Sequence, residues 1–243
     1  MAIGPSYECH ACGREYGAGL VRVPRAWGVG GEGMVEAATA LDLPYPEAAV
    51  VAEETLDDQT LVVASELPER PLVLGGCCCS HIGAVEALST RHERLALVWI
   101  DAHGDLNTPE TSLSGDRWGM PLRMIVDGGA VESADVALVG ARELDPPETD
   151  FIRHCGVHVG ENAIEQALAG ADAVYVAIDA DGLDEEEVVA FMPVPGGIPV
   201  AAAAESLRWI AANTTVAGVG LAGFLADPVN VGPVSRLCAA VGL

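Results

Sequence analysis

From Leu72 to Phe224 the sequence alternates short, nearly all-apolar runs with longer stretches of helical character, and this limits the fold more than any other feature. The apolar runs lie in PLVLGG, RLALVWIDAHGD, ADVALVGAR, GVHVG, AVYVAIDADG and TVAGVGLAGF; the helical stretches include AVEALSTRH, ENAIEQALAGA and AAAAESLRWIAAN. A strand with one wet face alternates apolar and polar side chains, whereas a strand covered on both faces is apolar throughout. The rhythm therefore predicts an α/β fold, a mainly parallel sheet covered by helices in three layers, α/β/α. Ala201 to Ala204 read as the start of a helix. The first 70 residues are less regular: Gly and Pro recur in GVGGEG, LDLPYPE and ELPERP, and only MVEAATAL and TLVVASEL stand out. With 243 residues, half of them hydrophobic, one core suffices, so the expectation is a single domain over residues 1–243.

Asp and Glu number 36 against 12 Lys and Arg, a net charge of −24. Such a surface repels phosphate backbones and anionic bilayers, which argues against nucleic acid and membrane as partners. It reads as a solubility feature and does not choose a substrate. The opening MAIGPSYECHACGREYG has no basic or apolar targeting region, and no later run reaches the roughly 18 apolar residues of a membrane span, so a cytoplasmic location is expected. Seven cysteines in such a chain suggest thiols or ligands rather than disulfides. Cys9 and Cys12, with His10 between them, make a single C-x-x-C pair, open to three readings: unrelated thiols, redox chemistry or a peripheral metal. Cys155 and Cys238 read as structural, and His92, His154 and His158 as surface or packed residues.

The chemistry concentrates where two apolar runs end. Leu95 to Ile100 leads into Asp101-Ala-His103-Gly-Asp105, and Ala173 to Ile178 leads into Asp179-Ala-Asp181. If the chain stays extended past the first strand, positions 101, 103 and 105 project to one side. The carboxyl ends of parallel strands are where sites are assembled, so the two clusters can share one crevice. Four carboxylates brought together raise one another's pKa unless cations neutralise them, and their charge balances two divalent ions. Oxygen donors with one imidazole suit manganese or magnesium better than a structural zinc. The plainer alternative is that Asp101 and Asp179 cap the turns that follow their strands.

The motifs DAHGDLNTPET at 101–111 and DADGLD at 179–184 resemble the two signatures of the arginase, agmatinase and formimidoylglutamase family. LGGCCCSHIG at 74–83, SGDRWGMPL at 114–122, GARELDP and PVPGG follow in family order, so the resemblance covers about residues 70–200. It implies that Asp101 and Asp179 bridge two manganese ions, with Asp105 on one and His103 and Asp181 on the other. It further implies that Asp105 hands a proton to the leaving amine, and that Asn107, Ser114, Asp116 and Asp145 contact substrate. Relatives are commonly trimers or hexamers, so a homo-oligomer is expected. The function implied is metal-dependent hydrolysis of a non-peptide C–N bond in a small guanidino or amidino compound.

Three positions depart from the family pattern. Cys78 stands where most members have a histidine ligand, and a thiolate favours zinc or iron over manganese; it reads as a ligand, a buried core thiol, or a residue replaced in its role by His81. Cys77 and Cys79 read as packing thiols. Trp118 replaces a titratable histidine, and Ala202 replaces the glutamate that receives a guanidinium in arginases, with Glu205 one turn further on. Loss of that glutamate argues against arginine itself as substrate. Cys78, Trp118 and Ala202 together motivate an alternative, a catalytically degenerate member acting as a metal-binding scaffold or regulatory subunit.

Overall fold

The computed structural model describes residues 7–160 and 162–243. A short antiparallel hairpin, β1 (Tyr7–Glu8) and β2 (Glu15–Tyr16), leads into β3 (Gly19–Val23), α1 (Glu32–Ala40), β4 (Glu47–Val50) and α2 (Leu56–Glu66). Then come β5 (Pro71–Gly75), α3 (His81–Ser89), β6 (Leu95–Ile100), α4 (Pro121–Asp127), β7 (Val136–Val139), α5 (Pro146–Cys155) and β8 (His158–Val159). The chain closes with α6 (Ala163–Leu168), β9 (Ala173–Asp179), α7 (Val200–Asn213), β10 (Thr215–Ala222) and α8 (Val231–Ala240). β3 to β10 form one eight-stranded sheet in the order β4-β3-β5-β10-β9-β6-β7-β8, every neighbouring pair parallel.

The all-apolar strands are covered on both faces, as their composition requires. Ala96, Val98 and Ile100 of β6 join Val174, Val176 and Ile178 of β9 on the face packed by α1, α6, α7 and α8. Leu95, Leu97 and Trp99 join Ala173, Tyr175 and Ala177 on the other face, under α2, α3 and α4. Each such buried aliphatic side chain contributes about 1.5–3 kcal/mol relative to exposure, so the period-two split of one run between two cores stabilises all three layers. The tetra-alanine segment lies in α7, where Ala203 and Ala204 face the core. No helix among the described residues is long and apolar enough to cross a membrane.

The N-terminal third also adds two strands to the sheet. β3 carries Arg22, which interrupts its apolar pattern; the guanidinium donates to Ala38 O and Leu41 O at the end of α1 and pairs with Glu47 of β4 at 3.1 Å. β4 is an edge strand with exposed ends, where little apolar signal is needed. MVEAATAL and TLVVASEL fall in α1 and α2, the second opened by Thr55, whose hydroxyl accepts from the Asp58 amide at 3.1 Å.

Strands β5 and β6 are consecutive in the chain, yet β10 and β9 lie between them. The chain thus switches direction across the sheet, and such a switch opens a crevice beyond the carboxyl ends of the strands beside it. The residues that leave β5, β6 and β9 at that end are Cys77–Cys79, Asp101–Asp105 and Asp179–Asp181.

Candidate metal centre

Cys78, Asp101, His103, Asp105, Asp179 and Asp181 all line one cavity of about 270 Å³ at this end of the sheet. One ligand-type atom from each of Cys78, Asp101 and Asp105 lies within 4.8 Å of the others, and the same holds for Asp101, His103 and Asp181. Asp101 belongs to both sets. The Cys78 thiol donates to Asp179 Oδ2 at 3.1 Å and faces Asp101 Oδ2 at 3.9 Å. His103 Nδ1 lies 3.2 Å from Asp181 Oδ2 and 3.5 Å from Asp101 Oδ1.

Local hydrogen bonds aim these groups. Asp101 Oδ1 accepts from the His103 amide at 2.7 Å and Oδ2 from the Trp99 indole at 3.0 Å, so the indole, buried in the sheet, steadies the carboxylate. Asp179 Oδ1 accepts from the Asp181 amide at 3.0 Å, and Asp181 Oδ1 from the Ala102 amide at 3.1 Å, which ties the two strand ends together. Both aspartates therefore hold the turns after their strands and join the cluster as well. The extended geometry foreseen for residues 101–105 does not persist: the chain bends after the strand, and Asp105 is the only non-glycine with positive φ (53°) among the described residues. That left-handed backbone, uncommon outside Gly, Asn and Asp, turns its carboxylate back into the cluster.

The electrostatics match the crowding. Burial, then the neighbouring Asp181, pushes Asp179 up to about 7. Burial and Asp101 push Asp181 to about 6. Burial and the charges of Asp101 and Asp179 raise Asp105 well above the carboxylate range. Burial works against a charged His103, but Asp101 and Asp181 outweigh it and lift the imidazole to about 12. The Cys78 thiol is held far above its usual value by burial and then by Asp179. Oδ2 of Asp105 is buried with no hydrogen-bond partner. A buried carboxyl oxygen without a partner, in a cluster whose members resist ionising together, is what a cation would relieve, so the donor set fits divalent metal.

The cavity is lined by polar and acidic residues, Asn107, Ser114, Glu143, Asp145 and Glu148, and by apolar ones, Met34, Trp118, Phe191 and Met192. Asn107 Nδ2 donates to Asp145 Oδ2 at 2.9 Å. Glu148 receives the Asp145 and Leu106 amides, both at 2.9 Å, which pins the start of α5 to the loop after β6. Asp116 does not line the cavity; it accepts from the Val29 amide at 3.1 Å and holds the neighbouring loop. Trp118 packs edge-on against Phe191 at 5.4 Å. Ala202 is exposed on α7, and Glu205 lies outside the cavity near Trp209. His81 sits apart from the cluster, fully buried, with Nδ1 3.1 Å from the Tyr175 hydroxyl.

Sequence reasoning passed over Glu143, Glu148, Trp99 and Gly223. The spacing Asp145-Pro-Pro-Glu148, a helix-opening pattern, was the available signal for Glu148. Gly223 follows β10 at φ 75°, and a Cβ there would collide with the Asp179 carboxylate. Gly223→Ala should therefore displace Asp179 and weaken metal binding at least about tenfold, measured by calorimetric titration, with a stability loss of about 1–3 kcal/mol. Unchanged affinity would mean that Asp179 does not contribute a metal-binding oxygen.

The arginase family model matches residues 32–223, a span that contains every member of this cluster. The arginase of Staphylococcus aureus (strain MRSA252) is 36% identical over 142 residues, 48% of this chain and 47% of the relative. In such alignments the chain spans about half the length of the curated relatives it matches. The crystal structure of arginase from Bacillus subtilis superposes with a TM-score of 0.75 at 23% identity, covering 93% of this chain and 98% of the other. Proclavaminate amidino hydrolase from Streptomyces clavuligerus gives 0.70 at 19% identity, covering 92% and 88%. The parallel sheet, its switch point and the matched residues lead to one conclusion: this chain belongs to the arginase family.

Proposed function

We propose that this chain is a divalent-metal-dependent hydrolase that cleaves a non-peptide C–N bond in a small guanidino or amidino compound. The observation that carries the reading is the overlap of two ligand sets at Asp101 on the floor of one cavity. Two sets sharing a carboxylate suit two ions, and manganese fits the oxygen- and imidazole-rich set of Asp101, His103 and Asp181. Divalent ions at such a site bring the ionisation of water towards neutral pH and offset the crowded negative charge.

The chain's own groups divide the remaining work. Asp105, with one oxygen unpartnered, is the proton carrier between the attacking water and the leaving nitrogen. Asn107, Ser114 and Asp145 contact the polar end of the substrate, while Asp116 acts through the loop it holds. Trp118 and Phe191 shield the reacting centre from bulk water, and since indole cannot titrate, proton exchange falls to other groups. With Ala202 and Glu205 both off the cavity, no carboxylate from α7 receives a guanidinium, which disfavours arginine. The names of the similar proteins, arginase and amidino hydrolase, support the substrate class. No specific observation favours the scaffold alternative.

The test is to reload purified protein with manganese, count metal, and screen guanidino and amidino compounds for urea or ammonia release. About two ions per chain with turnover is the expected result; failure to bind divalent metal near stoichiometry would sink the reading. Cys78 adds a sharper expectation. Its buried thiol must lose a proton to bind an ion, and sulfur disfavours manganese, so Cys78→His should raise manganese affinity about tenfold or more. Titration calorimetry of both proteins checks this, and an equal or weaker affinity for the histidine variant would exclude Cys78 from the site.

A further inference from the structure

Cys9 and Cys12 play no part in the chemistry above, and their surroundings are specific. They occupy the turn of the β1–β2 hairpin, where the Cys9 amide donates to Arg14 O at 2.9 Å and the Gly13 amide to Cys9 O at 2.8 Å. Gly13 has φ 66°, the left-handed conformation that lets the chain fold back directly after the second cysteine. The Arg14 amide is directed at the Cys12 sulfur, and the Cys9 thiol contacts that sulfur as well; together with Tyr16, whose hydroxyl is 3.8 Å away, they hold the Cys12 thiol below its usual pKa. Both thiols are free, Cys9 buried and Cys12 exposed.

Thiolate is the metal-ligating form of cysteine, and a C-x-x-C pair is the spacing by which structural zinc sites take two of their four ligands. A redox pair of the helix-opening kind has a helix after the motif, whereas here β2 follows. The other two ligands do not come from the described residues of the same molecule: no third His, Cys, Asp or Glu groups with this pair there, Cys77–Cys79 lie at the carboxyl end of the sheet, Cys155 closes α5, and Cys238 sits in α8 against Tyr45. The hairpin is at the opposite end from the Asp101 cluster, since Tyr7 packs against Gly19, the first residue of β3. Its exposed sulfur faces outward, where another molecule can reach it.

We propose that Cys9 and Cys12 form half of a four-sulfur zinc site that is completed by the same pair from a second copy of the chain. The proposal does not depend on the hydrolase reading, because the two sites lie at opposite ends of the sheet.

The experiment compares the full chain with the double variant Cys9→Ser, Cys12→Ser, using zinc and cobalt as probes. The unsubstituted protein should hold about half a zinc ion per chain more than the variant. Its cobalt form should show thiolate-to-metal charge-transfer absorption in excess of the variant's, whose remaining intensity reports Cys78. Zinc should promote association in sedimentation that chelator reverses and that the variant lacks, while turnover at the Asp101 cavity is the same in both. Equal zinc content and equal charge-transfer intensity in the two proteins would overturn the proposal. So would a full extra ion per chain without any change in mass, which would place the remaining ligands within one molecule.

Discussion

Replacing Asp105 with asparagine should lower turnover of the metal-loaded protein about 10²–10⁴-fold while making the metal-free protein more stable. Asparagine tolerates the left-handed backbone at φ 53° and keeps the shape of the side chain, so the loop is retained. What it removes is a group able to carry a proton, at the position whose outer oxygen has no partner. It also removes a buried carboxyl that burial and the charges of Asp101 and Asp179 already hold far above its normal range. Relief of that penalty should stabilise the chelated protein by about 1–3 kcal/mol, read as a rise in melting temperature. Activity down and metal-free stability up is a signature that a merely structural aspartate would not produce. If turnover were kept, or if stability fell with it, the proton-carrier role would be lost. Asp150→Asn, exposed on α5 and outside the cavity, is the matched control.

Removing metal should reverse the pH dependence of stability. In the metal-free fold Asp181 keeps its proton to about pH 6 and Asp179 to about pH 7, whereas an unfolded chain releases both near pH 4. Folding therefore takes up protons between those limits, and by linkage stability must fall as pH rises from about 4 to 7. His103, raised to about 12 by its carboxylate partners, has the same sign: its contribution is complete below about 6.5 and declines above it. For Asp179 alone the change is on the order of 4 kcal/mol. Bound divalent ions favour the ionised carboxylates and the thiolate, so the loaded protein should instead gain stability over the same range. Denaturant melts at pH 5, 6, 7 and 8, with manganese or with chelator, should give diverging curves. Parallel curves would show that the ions bind elsewhere.

The sheet was legible because β5, β6, β9 and β10 are buried on both faces and must be apolar throughout, while the clusters of aspartate and histidine sit directly after two of these runs. β3 and β4 were not, since Arg22 and Glu47 pair across them and break the apolar signal. Five ligand-type residues could be read from alternating acids and imidazole at strand ends. The family pattern already set Cys78 apart from Cys77 and Cys79, but its choice between ligand and core thiol needed the three-dimensional contact with Asp179. Asp116 shows what a local pattern misses: its carboxylate accepts from the Val29 amide, 87 positions away, and so holds the neighbouring loop. Gly223 was hidden because its role depends on Asp179, distant in the sequence and close in space, and Trp99 because nothing in an all-apolar run marks the indole that bonds Asp101.

The position of β10 also bears on how the protein is made. Cys78 and Asp179 are 101 positions apart, and the strands that carry them do not touch; they flank β10, the last strand of the sheet to leave the ribosome. Until that strand threads between its neighbours, the two halves of the sheet have unpaired inner edges and the cluster is split. Assembly of the centre is thus a late, long-range event in folding, of the slow class that high contact order imposes. A nascent chain can hold at most the Asp101 side of the site, and the open edges at β5 and β9 are where a stalled folding intermediate would associate with others.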